Sequence, residues 1–227
     1  MTSEYHKRFA GIQRLYGTEA AKRIKGVHIC VIGVGGVGSW AAEALARSGV
    51  NEITLIDNDC IELSNTNRQI HTTLDTLGRQ KTVAMAERLQ SINPTIKCHE
   101  IDDFITVKTY EQYLSGGYDY IIDAIDSIKF KTLMVNHCKR NKIPLIMTGG
   151  AGGLSDPSKI KIDDLSRTYN DPLASKVRST LRKQFGFPKD TKKKFGIECV
   201  FSSQQQVYPK EDGTVSHQKP GIHGVSL

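Results

Sequence analysis

Short apolar runs alternate with stretches of helical pattern between residues 26 and 150. The run Val27–Ile32 is typical of a buried strand, and Glu52–Asp57 has the same character. Between them, Ser39–Ser48 is rich in Ala, Leu and Glu, which predicts a helix that Gly49 ends. A strand, a helix and a second strand in this order predict a parallel pair joined by a right-handed crossover.

The alternation continues to residue 150. Further helices are predicted over residues 1–25, 78–91, 107–114 and 129–139, and further strands over 95–100, 118–123 and 143–147. This order is typical of the α/β class, so we expect a doubly wound, Rossmann-like and mainly parallel sheet.

Composition divides the chain into four segments. They are residues 1–25 (helical), 26–153 (the α/β domain), 154–206 (a basic extension) and 207–227 (a tail expected to fray). The glycine-rich stretch Gly149–Gly153 is interpreted as a flexible hinge. The extension, with a helix predicted at 172–184 and a strand at 196–203, is expected to complete the same domain.

The composition of the 227 residues, 38% hydrophobic and 24% charged, is typical of a soluble globular protein. No run of about 18 apolar residues occurs, and the N-terminus has no signal-peptide core, so we expect no membrane association. The five cysteines form no CxxC pair, which excludes a zinc ribbon. Their scattered positions indicate reduced thiols in the cytoplasm, and Cys199 is expected to be packed within a strand.

The formal charge of +7 becomes informative once its position is known. Residues 156–194 contain eleven Lys or Arg and five Asp or Glu, a net charge of +6. This segment predicts an anionic partner such as nucleic acid. The alternative is a solvated lid over an active site.

A glycine motif lies between the first predicted strand and helix. Gly33, Gly35 and Gly38 form GxGxxG, which permits a tight turn and brings helix N–H groups close to a phosphate. Asp57 ends the next strand, where a ribose hydroxyl is bound in such folds. We therefore predict a nucleotide site. The alternative is a turn that serves only close packing.

A long irregular stretch follows Asp57 and is interpreted as a functional loop. It contains Ser64–Gln69, and Arg68 and Lys81 are its best-placed cations. A triphosphate needs such cations, because its charge must be neutralised before a nucleophile can approach phosphorus. Simple NAD binding does not need them.

Two carboxylates follow the fourth predicted strand. Asp123 and Asp126 lie where ligands bind in open α/β sheets, and such a pair suits magnesium. Asp126 could equally cap the next helix. The chain has no GxxxxGK[ST] motif, so it is not a P-loop ATPase.

Together these motifs resemble the ThiF/MoeB/HesA superfamily, which is related to the ubiquitin-activating enzymes. The motifs that carry the resemblance are Gly33–Gly38, Asp57–Asp59, Ser64–Gln69, Gly78–Lys81 and Asp123–Asp126. The resemblance implies an enzyme that binds ATP with magnesium and adenylates a carboxylate. It also implies a homodimer in which Arg8 reaches the ATP of the partner.

The resemblance assigns roles to individual residues. The nucleotide-binding residues it implies are Gly33, Gly35, Gly36, Gly38, Asp57, Ser64, Asn65, Asn67, Arg68, Gln69, Lys81, Asp126 and Ser127. Arg68, Lys81, Asp126 and Arg8 are the implied catalytic residues, and Asp126 is the implied magnesium ligand.

Other phrases resemble one branch of the superfamily, the tRNA threonylcarbamoyladenosine dehydratases. These phrases are Arg14–Gly17, Thr148–Gly152, Leu173–Ala174 and Val177–Arg182. The branch uses ATP to activate the threonyl carboxylate of a modified adenosine, which then cyclises with loss of water. The resemblance implies that tRNA binds residues 156–194, and that a cysteine-desulfurase or sulfur-acceptor system is a possible partner. The branch continues into a glycine-rich apolar segment, so this chain is expected to be a short form.

Three other functions stay open. The chain could activate the Gly-Gly end of a ubiquitin-like sulfur carrier, but the usual zinc cysteines are missing. It could be an NAD-dependent oxidoreductase, which Arg68 and Lys81 argue against. It could also bind tRNA without catalysis. ATP–pyrophosphate exchange with and without tRNA would separate these functions.

Overall fold

The computed structural model describes residues 3–210 and 212–218 of the chain. The chain forms two compact units, one made of residues 1–125 and 137–145 and the other of residues 126–136 and 146–227. This division differs from the four segments expected from composition, whose boundaries remain predictions.

The first unit alternates helices with strands. Its helices are α1 (Ser3–Tyr16), α2 (Thr18–Gly26), α3 (Gly38–Arg47), α4 (Lys81–Ile92) and α5 (Tyr110–Leu114). Its strands are β1 (His28–Ile32), β2 (Glu52–Ile56), β3 (Lys97–Ile101) and β4 (Tyr120–Asp123), and short 3₁₀ turns lie at Leu63–Asn65 and Leu74–Thr76. Helix α6 (Ile128–Asn141) contributes residues to both units.

The four strands of this unit are parallel and lie in the order β3-β2-β1-β4. Ile29 of β1 stands beside Ile53 of β2 on one side and Tyr120 of β4 on the other. The last four residues of β1 are buried, as expected for a strand covered on both faces. Strands alternating with helices confirm the predicted α/β class and its mainly parallel sheet.

Side chains from β1, β2, α3 and α4 form the core of the first unit. The fully buried members include Val31, Ala42, Leu55, Met85 and Leu89. This core holds the carboxyl ends of β1 and β2 in place, and the glycine turn and the long loop start from those ends.

The second unit contains β5 (Leu145–Thr148), β6 (Ile160–Asp164), α7 (Pro172–Gln184), β7 (Glu198–Ser202), β8 (Tyr208–Pro209) and β9 (Val215–Ser216). Strand β7 pairs with β5 in parallel and with β6 in antiparallel orientation. Helix α7 begins where predicted because Asp171 accepts the Ala174 N–H at 2.8 Å and Pro172 occupies its first position.

Helix α7 has one apolar face. Ala174, Val177 and Leu181 are fully buried and follow the spacing of one helical face. The polar face carries Arg178 and Arg182. The predicted helix at 172–184 is therefore confirmed, and the structure shows that it is amphipathic.

The described residues before β1 are helical, as predicted, and Gly17 with φ 84° divides them into two helices. Three other local features differ from the predictions. Helix α4 begins at Lys81 and not at Gly78, and strand β6 was not predicted. The glycine-rich stretch expected to be a hinge is held by hydrogen bonds: the N–H of Gly149 donates to Val200 O, and that of Gly150 donates to Asp171.

The tail was also expected to fray. Within it, Tyr208–Pro209 and Val215–Ser216 pair as a short antiparallel ladder, so this part is ordered by hydrogen bonds. The expectation for residues 211 and 219–227 lies outside the described residues. Cys199 is fully buried in β7, as predicted.

Candidate nucleotide-binding site

Sterics explain the outer glycines of the turn between β1 and α3. Gly33 has φ +85°, a conformation that side-chain-bearing residues rarely adopt. A Cβ atom on Gly38 would lie 1.8 Å from the carbonyl oxygen of Gly33, so only glycine fits there. These two residues therefore fix the shape of the turn.

Of the inner glycines of the turn, Gly35 leaves space for a ligand, whereas Gly36 lies against the side chain of Arg68. A Cβ atom on Gly35 would meet nothing closer than the Gln69 side-chain nitrogen, at 3.8 Å. A Cβ atom on Gly36 would lie 3.3 Å from Cγ of Arg68. Helix α3 starts directly after the turn without a side-chain cap, as at helix ends that bind anions, while the N–H of Ser39 donates to the carbonyl oxygen of Gly35 at 3.1 Å.

Asp57 ties the turn to the end of β2. Its Oδ2 accepts the N–H of Val34 at 2.6 Å, and its Oδ1 accepts the N–H of Asp59 at 2.9 Å. A carboxylate has further lone pairs, so these contacts are compatible with the predicted contact to ribose. That contact stays a prediction.

Arg68 lies over the glycine turn. Its side-chain stem passes Gly36, and its Nη1 donates to the carbonyl oxygen of Ser64 at 2.8 Å and to Oδ1 of Asn67 at 3.2 Å. The indole N–H of Trp40 donates to the carbonyl oxygen of Arg68 at 2.9 Å. Trp40 thus holds this part of the loop against α3, a role that its position in the sequence did not reveal.

Asn65 has a structural role in this loop. Its side chain is buried and accepts the N–H of Glu62 at 3.0 Å, while its carbonyl oxygen accepts the N–H groups of Arg68 and Gln69. Asn65 therefore fixes the positions of its neighbours. Its predicted contact with nucleotide stays a prediction.

Lys81 is the first residue of α4, and its side chain is only 6% exposed. Its Nζ lies 2.7 Å from Oδ2 of Asp59, whose side chain is 57% exposed. Because α4 begins at this residue, the buried ammonium group is held at the end of the loop. Asp59 was part of a quoted motif but had no predicted role, and the structure shows it as the partner of Lys81.

Unpaired buried polar atoms are concentrated near this loop. The atoms without a hydrogen-bond partner among the described residues include Gln69 Oε1, both ring nitrogens of His71, Thr72 Oγ1, Gln80 Oε1 and Thr82 Oγ1. Buried polar groups without partners are costly, so such a concentration indicates a place for water or ligand. The carbonyl of Gln69 in particular fits a nucleotide-binding role.

His71 is 2% exposed. Burial first, and then the charges of Lys81 and Arg88, lower its pKa to about 4. The imidazole is therefore neutral at pH 7. No signal in the sequence pointed to this residue, because its environment arises from the folding of the loop onto α4.

The remaining predicted residues lie elsewhere. Asp123 is fully buried at the end of β4, and its Oδ1 accepts the N–H of Ile125 at 3.3 Å. Asp126 and Ser127 begin the second unit. Arg8 lies on α1 and forms a surface ion pair with Glu4 at 2.8 Å.

Among the described residues, one cluster of metal-ligating side chains occurs: His28, Glu52 and His99, with ligand atoms within 4.8 Å of one another. Hydrogen bonds account for it, since His99 lies 2.9 Å from Glu52 and His28 lies 2.8 Å from Thr54. The cluster lies toward the amino ends of the strands, whereas the glycine turn follows a carboxyl end. It is not the predicted metal site.

The combination of an α/β fold, a glycine turn and a loop bearing Arg68 and Lys81 defines the class of protein. A model described as the ThiF family matches residues 6–203, and the chain belongs to this family. The predicted superfamily and fold class are thereby confirmed.

Individual relatives narrow the comparison. The chain is 50% identical over 224 residues to tRNA threonylcarbamoyladenosine dehydratase of Escherichia coli (strain K12), an alignment covering 99% of this chain and 84% of that protein. A solved structure of TcdA (CsdL) superposes with a TM-score of 0.92 at 51% identity, covering 95% of this chain and 86% of that one. A second, E. coli tRNA N6-threonylcarbamoyladenosine dehydratase in complex with ATP, has a TM-score of 0.89 at 51% identity and covers 92% and 86%.

No helix in residues 3–210 and 212–218 combines the length and apolarity needed to span a bilayer.

Proposed function

We propose that the protein is an ATP-dependent tRNA threonylcarbamoyladenosine dehydratase. The observation that carries the proposal is the 50% identity to the E. coli dehydratase over 99% of this chain. An ATP complex of the E. coli enzyme supports ATP as the nucleotide. The open glycine turn beneath Arg68 is the surface on which this chain would hold it.

The first step would be attack of the threonyl carboxylate on the α-phosphorus of ATP, which releases pyrophosphate. A carboxylate is ionised at neutral pH, so no protein base is needed. The work of the site is then positioning and charge neutralisation. Arg68 and Lys81 would neutralise the phosphates, and the turn amides and Gln69 would position them.

Cyclisation would follow at the activated carbonyl carbon. A nitrogen or oxygen of the threonylcarbamoyl group attacks this carbon, the bond to AMP breaks, and the attacking atom loses its proton. ATP hydrolysis to AMP and pyrophosphate thus removes one water from the modified base. All five cysteines are free thiols, and the proposed chemistry needs none of them.

Asp126 fits the proposed magnesium site by its chemistry. Its carboxylate is exposed, so it is accessible to a hydrated cation. Asp126 would hold the ion, and the adjacent Ser127 would contact the nucleotide. Magnesium would supply charge neutralisation to the departing pyrophosphate.

The proposed tRNA surface is the basic segment 156–194. Each of its five carboxylates accepts a main-chain N–H group, at Asp156, Asp163, Asp164, Asp171 and Asp190. None of the salt bridges among the described residues includes a cation of this segment. The five carboxylates are thus engaged by main-chain N–H groups, and the Lys and Arg side chains of the segment form no ion pair with a described residue.

Two further features extend the proposal. The protein would act as a cytoplasmic homodimer, in which Arg8 exchanges its surface partner Glu4 for the ATP of the partner subunit. A cysteine-desulfurase or sulfur-acceptor system remains a predicted partner. The structure has no observation that favours a sulfur-carrier substrate.

The test uses purified protein, ATP with magnesium, and tRNA that bears N6-threonylcarbamoyladenosine. We expect AMP and pyrophosphate in equal amounts, and a nucleoside lighter by one water by mass spectrometry. The same tRNA without the modification is the control. ATP–pyrophosphate exchange that responds only to a carrier protein ending in Gly-Gly would contradict the proposal.

A further inference from the structure

An open cavity of about 540 Å³ lies along helix α7 in the second unit. The residues that line it are Ser175, Arg178, Ser179, Arg182, Lys183 and Lys189. Four are cations, two carry hydroxyl groups and none is acidic. We call this cavity the α7 pocket.

The pocket is built on one face of the helix. Ser175, Arg178, Ser179 and Arg182 are separated by three or four residues, so they lie on the same side of α7. Lys189 comes from the segment that follows the helix. Two elements therefore bring four positive charges to one concave surface.

The fold holds the two arginines in place. Arg178 donates to the hydroxyl of Thr168. The Nε of Arg182 donates to the carbonyl oxygen of Pro188 at 3.1 Å, and its guanidinium lies 5.3 Å from the ring centre of Phe195. Each contact uses one N–H donor, and the other donors of each guanidinium remain available for a ligand.

Part of this charge has a local explanation. Arg182 and Lys183 lie in the last turn of α7, where a cation is stabilised by the helix dipole by about 0.3–1 kcal/mol. This does not explain Arg178, which lies earlier in the helix. Burial and the charge of Arg182 lower the pKa of Arg178, because both disfavour the charged guanidinium group. A bound anion would offset the repulsion between the two arginines.

We propose that the α7 pocket binds a phosphodiester group of the RNA backbone and so fixes the tRNA on the second unit. This inference rests on the proposed function and specifies one contact within it. Guanidinium groups bind phosphate oxygens in pairs, and serine hydroxyls add single hydrogen bonds. Cations and hydroxyl groups line the pocket, which is the lining expected for phosphate oxygens.

The test compares two double variants of the full-length protein with equal loss of charge. Lys183→Ala/Lys189→Ala removes two cations from the pocket, and both side chains are exposed, so the fold is expected to remain intact. Lys108→Ala/Lys139→Ala removes two exposed cations that lie outside residues 156–194 and outside the pocket. Circular dichroism and ATP binding check the fold of both.

Binding of tRNA is measured from low to moderate salt, together with KM and kcat for tRNA. For the pocket variant we expect affinity to fall about tenfold or more, and the slope of log K against log[salt] to decrease by about 2, because two phosphate contacts are lost. KM should rise while kcat is retained. The control variant should lose less than about threefold, with an unchanged slope.

Three results would overturn the inference. Equal losses in both variants would mean that charge is spread over the surface, and no loss would mean that tRNA binds elsewhere. In the third result, inorganic phosphate or pyrophosphate displaces tRNA from the wild type but not from the pocket variant, and does so at concentrations far below the chloride concentration needed for the same effect. This result would show that the pocket binds a small anion.

The failure of this inference is distinguishable from failure of the proposed function. If the wild-type protein dehydrates the tRNA and the pocket variant has the same KM and salt slope, the proposed pocket contact is rejected and the proposed function is retained. If the wild-type protein binds tRNA through the pocket but forms no AMP, the pocket contact is retained and the proposed dehydratase function is rejected.

Discussion

The glycine turn and the α7 pocket both present positive potential, but they are made from different groups. At the turn, backbone N–H groups dominate, Lys81 is buried against Asp59, and Arg68 is held by main-chain contacts. In the pocket, the charge comes from four side chains, none of which forms a salt bridge with a described residue. A turn whose shape is set by glycine sterics suits one small ligand. A surface of side-chain cations suits a large polyanion, and its affinity for that partner should fall gradually as cations are removed one by one.

This contrast predicts different responses to substitution. Single changes at the turn should be severe, because backbone geometry cannot adjust. Single changes in the pocket should be graded and should depend on salt. The following experiments test the first half of the contrast, and the pocket variants test the second.

The largest effect is expected for Gly38→Ala. Its Cβ would lie 1.8 Å from the carbonyl oxygen of Gly33, so the turn cannot keep its shape and we expect a loss of about 3 kcal/mol or more in unfolding free energy. Chemical denaturation and ATP binding measure this. In the control Gly11→Ala, the added Cβ meets nothing within 4 Å inside α1, and stability should stay constant or rise by up to about 1 kcal/mol. A Gly38→Ala protein with wild-type stability would contradict the steric account.

Arg68→Ala and Lys81→Ala should each abolish ATP-dependent turnover, a loss of at least about 10²–10³-fold, because each removes a cation that neutralises phosphate charge. The rate of AMP formation measures this, and circular dichroism should show an intact fold. Arg79→Ala is the matched control, since Arg79 pairs with exposed Glu87 on the surface and should retain nearly full activity. Normal turnover by either site variant would rule out the assigned roles.

These experiments concern residues whose importance the sequence could predict only in part. Helix α7 was predicted with correct ends because its signals are local: Asp171 as the cap and Pro172 as the first residue. Helix α4 was predicted three residues too early. Gly78 and Arg79 instead exchange main-chain hydrogen bonds with Ile61, a contact that local pattern does not encode.

In the candidate site, too, the sequence revealed residues with local signals but not those whose roles depend on contacts made by folding. Arg68 and Lys81 could be named because they lie in a motif of known order. Asp59, Trp40 and His71 could not, because their roles depend on contacts made by folding: an ion pair, a bond to a main-chain oxygen, and burial. Sequence motifs thus identified the groups that face the ligand, and the structure identified those that hold them in place.

His71 predicts how the stability of the loop depends on pH. Its folded pKa of about 4 is below the value of 6.5 for an exposed histidine, so the unfolded chain binds a proton first. Its contribution to stability is therefore complete above pH 6.5 and is lost as the pH falls toward 4, by up to about 3 kcal/mol. In His71→Leu this part of the acid limb should be absent in denaturation measured at a series of pH values. His217→Gln, at an exposed site, is the control. An unchanged acid limb in His71→Leu would show that another group is responsible.

The smallest effect is expected for Asp59→Asn. Asp59 does not reach the reacting atoms by this account but positions the Lys81 ammonium group at 2.7 Å, and the amide keeps the shape of the side chain while removing its charge. We expect kcat to fall about tenfold, because one partner of the pair is buried. A double-mutant cycle distinguishes positioning from a separate structural role. In the Lys81→Ala background, Asp59→Asn should cause no further loss in the residual rate of pyrophosphate exchange, since the group that it positions is already gone. An equal loss in both backgrounds would show that Asp59 acts independently of Lys81, and the ion pair between Lys81 and Asp59 would then have no role in catalysis.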